Sequence, residues 1–167
     1  MSAASEGGNA NVTLRRATEA DLPAIKQMAQ EFVDYLNTID EPEAVDPAIF
    51  DRIEKLAFGP DKHCTIELAE IDGTPVGYLI WFIGVETNNF EPALHIADLF
   101  VRDAWRERGI GRIFMEYAAA ILRECGGSTL FWVVWNRNAT ALDFYRRLGA
   151  QAWDEAVLMR WEPDSDA

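Results

Sequence analysis

Leu94 to Cys125 constrains the fold more than any other stretch, because strand, turn and helix signals follow one another without a gap. Leu94, Ile96, Leu99, Phe100 and Val101 form an apolar strand that ends at Arg102-Asp103. Ile110, Ile113, Phe114, Tyr117, Ala118, Ile121, Leu122 and Cys125 then recur at i, i+3, i+4, i+7 spacing and predict one apolar stripe on a long helix. Gly126-Gly127 stops that helix. Between strand and helix lies a basic turn, Arg106-Glu107-Arg108-Gly109-Ile110-Gly111-Arg112. A helix start leaves backbone N–H groups unpaired and carries about half a positive charge, so it attracts phosphate. Glycine at 109 and 111 lets a bulky anion reach those amides, and the three arginines add charge-assisted donors. A cofactor bearing pyrophosphate is the expected guest. A Walker loop is excluded, since Arg112-Ile113 stands where Lys-Ser/Thr is needed. A dinucleotide fingerprint is excluded because its third glycine is missing.

The rest of the chain predicts alternating strands and helices. Val12 to Ala17 reads as a first strand, and Thr18-x-x-Asp21 is a near-miss capping box. It precedes a helix with Leu22, Ile25, Met28, Ala29, Phe32, Val33 and Leu36 on its apolar face. An acidic loop, Asp40 to Asp46, leads to a shorter helix that starts at Asp46-Pro47 and ends at Gly59-Pro60. Cys64 to Ile71 and Pro75 to Gly84 read as strands joined by the hairpin signal Asp72-Gly73, and Glu86 to Glu91 as a polar turn. Thr129 to Trp135 reads as a strand buried on both faces. Asn138 opens a last helix that Gly149 closes, and strand-like pieces follow at Ala150–Trp153 and Ala156–Trp161.

One domain spanning 12–161 is expected, with a disordered tail at 1–11 and an acidic tail at 162–167. A net charge of −13 argues against nucleic acid and anionic membranes as partners and favours a cationic substrate. No apolar run is long enough to span a bilayer. Two cysteines are too few for a disulfide framework or a metal site, so no metal is expected, and a reducing cytoplasm fits.

The pattern Arg106-x-x-Gly109-x-Gly111 resembles the acyl-CoA pyrophosphate loop of the GNAT N-acetyltransferases. One helix and one strand later, Asn138-Ala-Thr-Ala-Leu-Asp-Phe-Tyr145-Arg-Arg-Leu-Gly149-Ala150 is similar to a second signature of that superfamily. The resemblance covers residues 12 to 161. Ala57-Phe58-Gly59, His63-Cys64, Val76-Gly77-Tyr78, Asp98 to Val101 and Phe144 to Ala150 are most similar to the spermidine/spermine (diamine) acetyltransferase branch and its bacterial relatives. The chain differs from that branch at Ala97-Asp98, where a Glu-Asp pair is usual, at Arg137-Asn138, where Trp-Asn is common, and at Glu107, where glycine is usual.

The resemblance implies an α/β fold: a mixed, twisted sheet of six to seven strands, helices on both faces, and central parallel strands splayed for acyl-CoA. It implies acetyl-CoA as co-substrate, a small amine acceptor of polyamine or diamine type, and a homodimer. It assigns cofactor contacts to Leu99, Phe100, Val101, Arg106, Glu107, Arg108, Gly109, Ile110, Gly111, Arg112, Asn138 and Tyr145. Tyr145 would also be the acid that protonates the departing thiolate. Asn138 serves equally as a helix cap. A primary ammonium has a pKa of about 10.4 and must lose a proton before it attacks. Asp98 ranks first for that role, ahead of His95, Glu86 and Glu91, because histidine on an apolar strand is commonly a packed core residue. Strand alternation puts His95 and Ala97 on one face and Asp98 on the other, unless a bulge re-aims them. A protein, amino-acid or antibiotic amine remains an alternative acceptor, as does a non-catalytic acyl-CoA-binding role.

Overall fold

Short-range signals set most of the element boundaries. In the computed structural model, which describes residues 11–42, 44–161 and 163, the first strand β1 is Val12–Arg16. Helix α1 (Leu22–Leu36) follows a single tight turn. The Asp21 carboxylate caps that turn, accepting from the Thr18 backbone N–H at 2.8 Å and hydroxyl at 3.0 Å. Asp46 accepts from the Ala48 N–H at 2.9 Å and so starts the turn that leads into α2 (Arg52–Phe58).

Strands β2 (Thr65–Ile71), β3 (Thr74–Glu86) and β4 (Glu91–Val101) make an antiparallel meander with β1. Asp72-Gly73 forms the expected tight turn, both residues having positive φ. After helix α3 (Ile110–Glu124), strand β5 (Thr129–Trp132) joins parallel to β4. The order is β1-β2-β3-β4-β5, a mixed sheet with helices on both sides. On one face Ile66, Leu68, Tyr78 and Phe100 pack with Ile25 and Met28 of α1 and Ala57 of α2. On the other, Phe114 of α3 lies against Gly77 of β3. Of the predicted stripe, Ile110, Phe114, Ala118 and Leu122 are buried, Ile113, Tyr117 and Ile121 are half-buried and Cys125 is exposed; Ile110, Phe114 and Leu122 each contribute about 1.5–3 kcal/mol.

Contacts divide the chain into two compact units, the first ending at Val133 and the second starting at Val134. Within the second, α4 (Ala139–Arg147) is capped by Asn138, and Gly149 turns the chain out of it at φ 90°.

Two strand expectations are corrected. β5 stops at Trp132 rather than Trp135, and it is partly exposed, not buried on both faces; Val133 is 67% exposed. Among the described residues it is the edge strand of this sheet, with a ladder on one flank alone. The pieces at 150–153 and 156–161 form no strand, which leaves five strands among the described residues instead of six or seven. Trp153, Val157, Leu158, Met159 and Trp161 are exposed there, and an apolar run without a ladder partner does not become a strand. Of the expected tails only Asn11 and Pro163 are described; the remainder lies outside the described residues.

Candidate active site

The turn into α3 is built from two left-handed residues, Glu107 at φ 61° and Gly109 at φ 82°. They reverse the chain and present the start of α3, where the N–H groups of Ile110, Gly111 and Arg112 have no intrahelical carbonyl to meet. The ladder begins one residue later, with the Ile113 N–H on the Gly109 carbonyl at 3.0 Å. The three arginines divide in role. Arg106 points inward: its Nε donates to the Val101 carbonyl at 3.0 Å, and its guanidinium lies 4.2 Å from the Tyr35 ring centre on α1. Arg108 and Arg112 are exposed, the first over the Trp105 ring and the second 3.7 Å from Glu116.

Beside this turn the edge of β4 is open. Its ladder with β5 covers Ala93–Ile96 and stops at Trp132, so Leu99, Phe100 and Val101 pair with β3 alone. Strand-edge backbone groups outside a ladder suit an extended chain with amide groups.

A bulge sets the side chains of β4. The register runs Ile80 to Asp98, then shifts, so that Trp81 meets Ile96 and Phe82 meets His95, with Ala97 as the extra residue. Ile80 and Phe82 share a face of β3, and therefore Asp98 and His95 share the corresponding face of β4. Simple alternation put them on opposite faces; the bulge overturns it. His95 stacks between Phe82 at 5.0 Å and Phe131 at 5.3 Å, and a Cβ on Gly84 would come within 2.9 Å of its ring.

Asp98 keeps some accessible surface, but its carboxyl group is sunk into this face. Burial pushes its pKa up to about 6, against two donors that favour the charged form, the Tyr78 hydroxyl and the Leu99 N–H. The Tyr78 hydroxyl donates to Asp98 Oδ2 at 2.6 Å, and Tyr78 itself is 1% exposed. Burial raises the Tyr78 pKa well above its usual value, so the phenol keeps its proton. In the sequence Tyr78 stands out only as part of Val76-Gly77-Tyr78, one of the stretches similar to the diamine branch. The available signal was a phenol in an apolar strand, since a buried hydroxyl requires a partner.

The other carboxylates considered as bases are engaged in turns. Glu86 accepts from the Asn88 and Asn89 N–H groups at 2.8 and 3.0 Å, and Glu91 pairs with the Ser128 hydroxyl. In the second unit, Asn138 Oδ1 accepts from the Ala141 N–H at 3.1 Å, which accounts for it as a cap. Tyr145 lies on the same helix with its ring 4.9 Å from that of Phe144.

Residues 25–150 match the model of the acetyltransferase (GNAT) family. The chain belongs to this family. GNAT enzymes use acetyl-CoA as co-substrate, and this GNAT chain is an N-acetyltransferase by its relatives as well. It is 28% identical over 151 residues to a thialysine N-epsilon-acetyltransferase of Bos taurus, covering 87% of each chain. An L-ornithine N5-acetyltransferase of Arabidopsis thaliana is 27% identical over 125 residues, 75% of this chain and 51% of the relative. Among solved structures, an aminoglycoside acetyltransferase from an uncultured soil metagenomic sample superimposes with a TM-score of 0.70 at 22% identity, covering 92% of this chain and 97% of the other, which shows the shared fold.

Proposed function

We propose that this GNAT enzyme transfers the acetyl group of acetyl-CoA directly to a primary amine of a small cationic acceptor, diamine- or polyamine-like in charge. The observation that carries the proposal is the juxtaposition on β4 of an open backbone edge, Leu99–Val101, and a sunken carboxylate, Asp98, at the strand end that leads into the glycine turn.

In this reading the amides of Ile110, Gly111 and Arg112 hold the pyrophosphate, with Glu107 and Gly109 shaping the turn and Arg108 and Arg112 adding charge. Arg106 fixes the turn against β4 and α1. Leu99 to Val101 hydrogen-bond the pantetheine arm, and a backbone N–H near Leu99-Phe100 polarises the acetyl carbonyl. Asp98 accepts a proton from the acceptor's ammonium group, which frees the neutral amine to attack, and Tyr145 donates one to the departing thiolate. A net charge of −13 raises the local concentration of a cationic acceptor. The relatives that act on thialysine and ornithine favour a second acceptor class, the side-chain amine of an amino acid. The enzyme is proposed to work as a homodimer in a reducing cytoplasm; Cys64 and Cys125 are both free thiols.

A screen that follows free CoA release with 1,4-diaminobutane, spermidine, ornithine and a neutral amide-bearing amine tests the proposal. Faster turnover of the multiply charged amines is the expected result. Binding of acetyl-CoA with no thiol release for any amine would convert the reading to a non-catalytic acyl-CoA-binding protein.

A further inference from the structure

We infer that Tyr78 is a positioning residue for the acid–base group of this enzyme: its hydroxyl fixes the Asp98 carboxylate on the acceptor face of the sheet and keeps it ready to accept a proton. The inference rests on the proposed role of Asp98 as base.

Three observations support it. First, the bond is short, 2.6 Å between the Tyr78 hydroxyl and Asp98 Oδ2, within the range for an O–H donor on a carboxylate. Second, the donor cannot drift. Tyr78 is 1% exposed, its ring lies 5.8 Å from that of Phe100, and Ile25, Met28 and Leu68 belong to the same packed cluster. Third, the acceptor is placed by the bulge at Ala97, the irregularity that puts Asp98 opposite Ile80, one step along the same face from Tyr78. A carboxylate on a bulged strand has rotameric freedom that a rigid phenol removes, and a base acts only when its oxygen stands within hydrogen-bond reach of the proton.

The second donor to this carboxylate, the Leu99 N–H, lies on the bulged strand itself, so Tyr78 is the donor that ties Asp98 to the neighbouring strand. On the same face of β4, His95 is stacked between Phe82 and Phe131. The charged groups of α1 are held elsewhere: Lys26 by Asp51 at 2.7 Å, Glu31 by Arg102 at 3.0 Å and Asp34 by Gln30 at 2.9 Å, while Tyr35 lies under Arg106. Arg52, Glu54 and Lys55 of α2 are exposed, and the paired residues of β5 carry no charge. Tyr78 opposes the burial that pushes the Asp98 pKa up to about 6, so removing the hydroxyl lets that pKa climb further.

The test uses the full chain with 1,4-diaminobutane as acceptor. Tyr78→Phe deletes one oxygen and no ring volume. The expected result is a tenfold or larger fall in kcat/KM at pH 6, with its acidic limb moved up by about one pH unit. The Asp98 carboxyl ¹³C resonance, identified by its loss in Asp98→Asn, should move its midpoint in the same direction. In the wild type, with tyrosine labelled at Cζ, the Tyr78 resonance should titrate together with that carboxyl, a readout that needs no variant. A Tyr78→Phe enzyme with a lower melting temperature but an unmoved limb and carboxyl midpoint would show packing alone and overturn the inference. So would a Tyr78 Cζ resonance blind to the Asp98 titration. Full activity in Asp98→Asn would instead remove Asp98 as base, the failure of the underlying reading, and the inference would fall with it.

Discussion

The turn into α3 and the row of side chains on β3 and β4 are both parts of the proposed site, yet they are built in opposite ways. The turn works through backbone: two left-handed residues and a helix start present N–H groups, and the side chains there vary in use, with Arg106 packed inward and Arg108 outward. The row works through side chains whose places depend on register. A single inserted residue, Ala97, decides that Asp98 and His95 face the same way. Backbone devices fail when a Cβ intrudes, whereas register devices fail when one functional atom is removed.

The largest expected effect comes from the row. Asp98→Asn keeps shape and can still accept from Tyr78, but it cannot take a proton. kcat should fall about 10³-fold, within the usual range for a general base, with acetyl-CoA affinity unchanged. In the wild type the base is competent only when deprotonated, so kcat/KM should rise as pH passes upward through about 6. An enzyme with no acidic limb between pH 5 and 7 would disconnect this carboxylate from the chemistry.

On the turn, Gly111→Val sets a branched side chain at the helix start where the pyrophosphate is expected. Losing two charge-assisted hydrogen bonds, about 3 kcal/mol together, corresponds to roughly 150-fold weaker acetyl-CoA binding with the fold intact. Calorimetry that finds unchanged affinity, on a variant with native circular dichroism, would take the cofactor away from this turn.

The same contrast explains what could be read from the sequence. Arg106-x-x-Gly109-x-Gly111 and the apolar stripe behind it are local patterns, so the turn, α3 and its buried face were legible; Asp72-Gly73 announced its hairpin for the same reason. Strand pairing is not local. Trp153, Val157, Leu158, Met159 and Trp161 have strand-like composition, but no ladder forms among them, and Thr129–Trp132 closes earlier than its apolar run suggested. The bulge at Ala97 has no residue signature, which is why alternation separated His95 from Asp98. Tyr78 carries no local sign of its role, because its partner is 20 residues away across the β3–β4 ladder.

Tyr145 tests the second sequence signature. Tyr145→Phe removes a hydroxyl and little volume, so it separates proton donation from packing on α4. A fall of about 100-fold in kcat, at the low end for general acid catalysis because a thiolate is a good leaving group, is expected with acetyl-CoA affinity preserved. A variant within twofold of wild type would remove the proton-donor role from Tyr145.

The smallest effect sharpens the comparison most, because it concerns a side chain the backbone device does not need. Glu107 occupies φ 61°, a conformation that glycine adopts freely and that costs an ordinary L-residue about 1–2 kcal/mol. The Glu107 side chain is exposed, so its removal opens no cavity. Glu107→Gly should therefore relieve strain, offset in part by about 0.4–1 kcal/mol of extra backbone entropy in the unfolded chain. The net gain, about 0.5 kcal/mol, would raise the melting temperature by roughly 1–2 °C for a chain of this size. Removing one negative charge next to the amides proposed to hold phosphate should also tighten acetyl-CoA binding, by a factor of about two to five at low salt and less as salt screens the charge. If the turn were held by side chains as the row is, the variant would lose affinity and melt earlier. Calorimetry and thermal unfolding of this one variant decide between the two constructions.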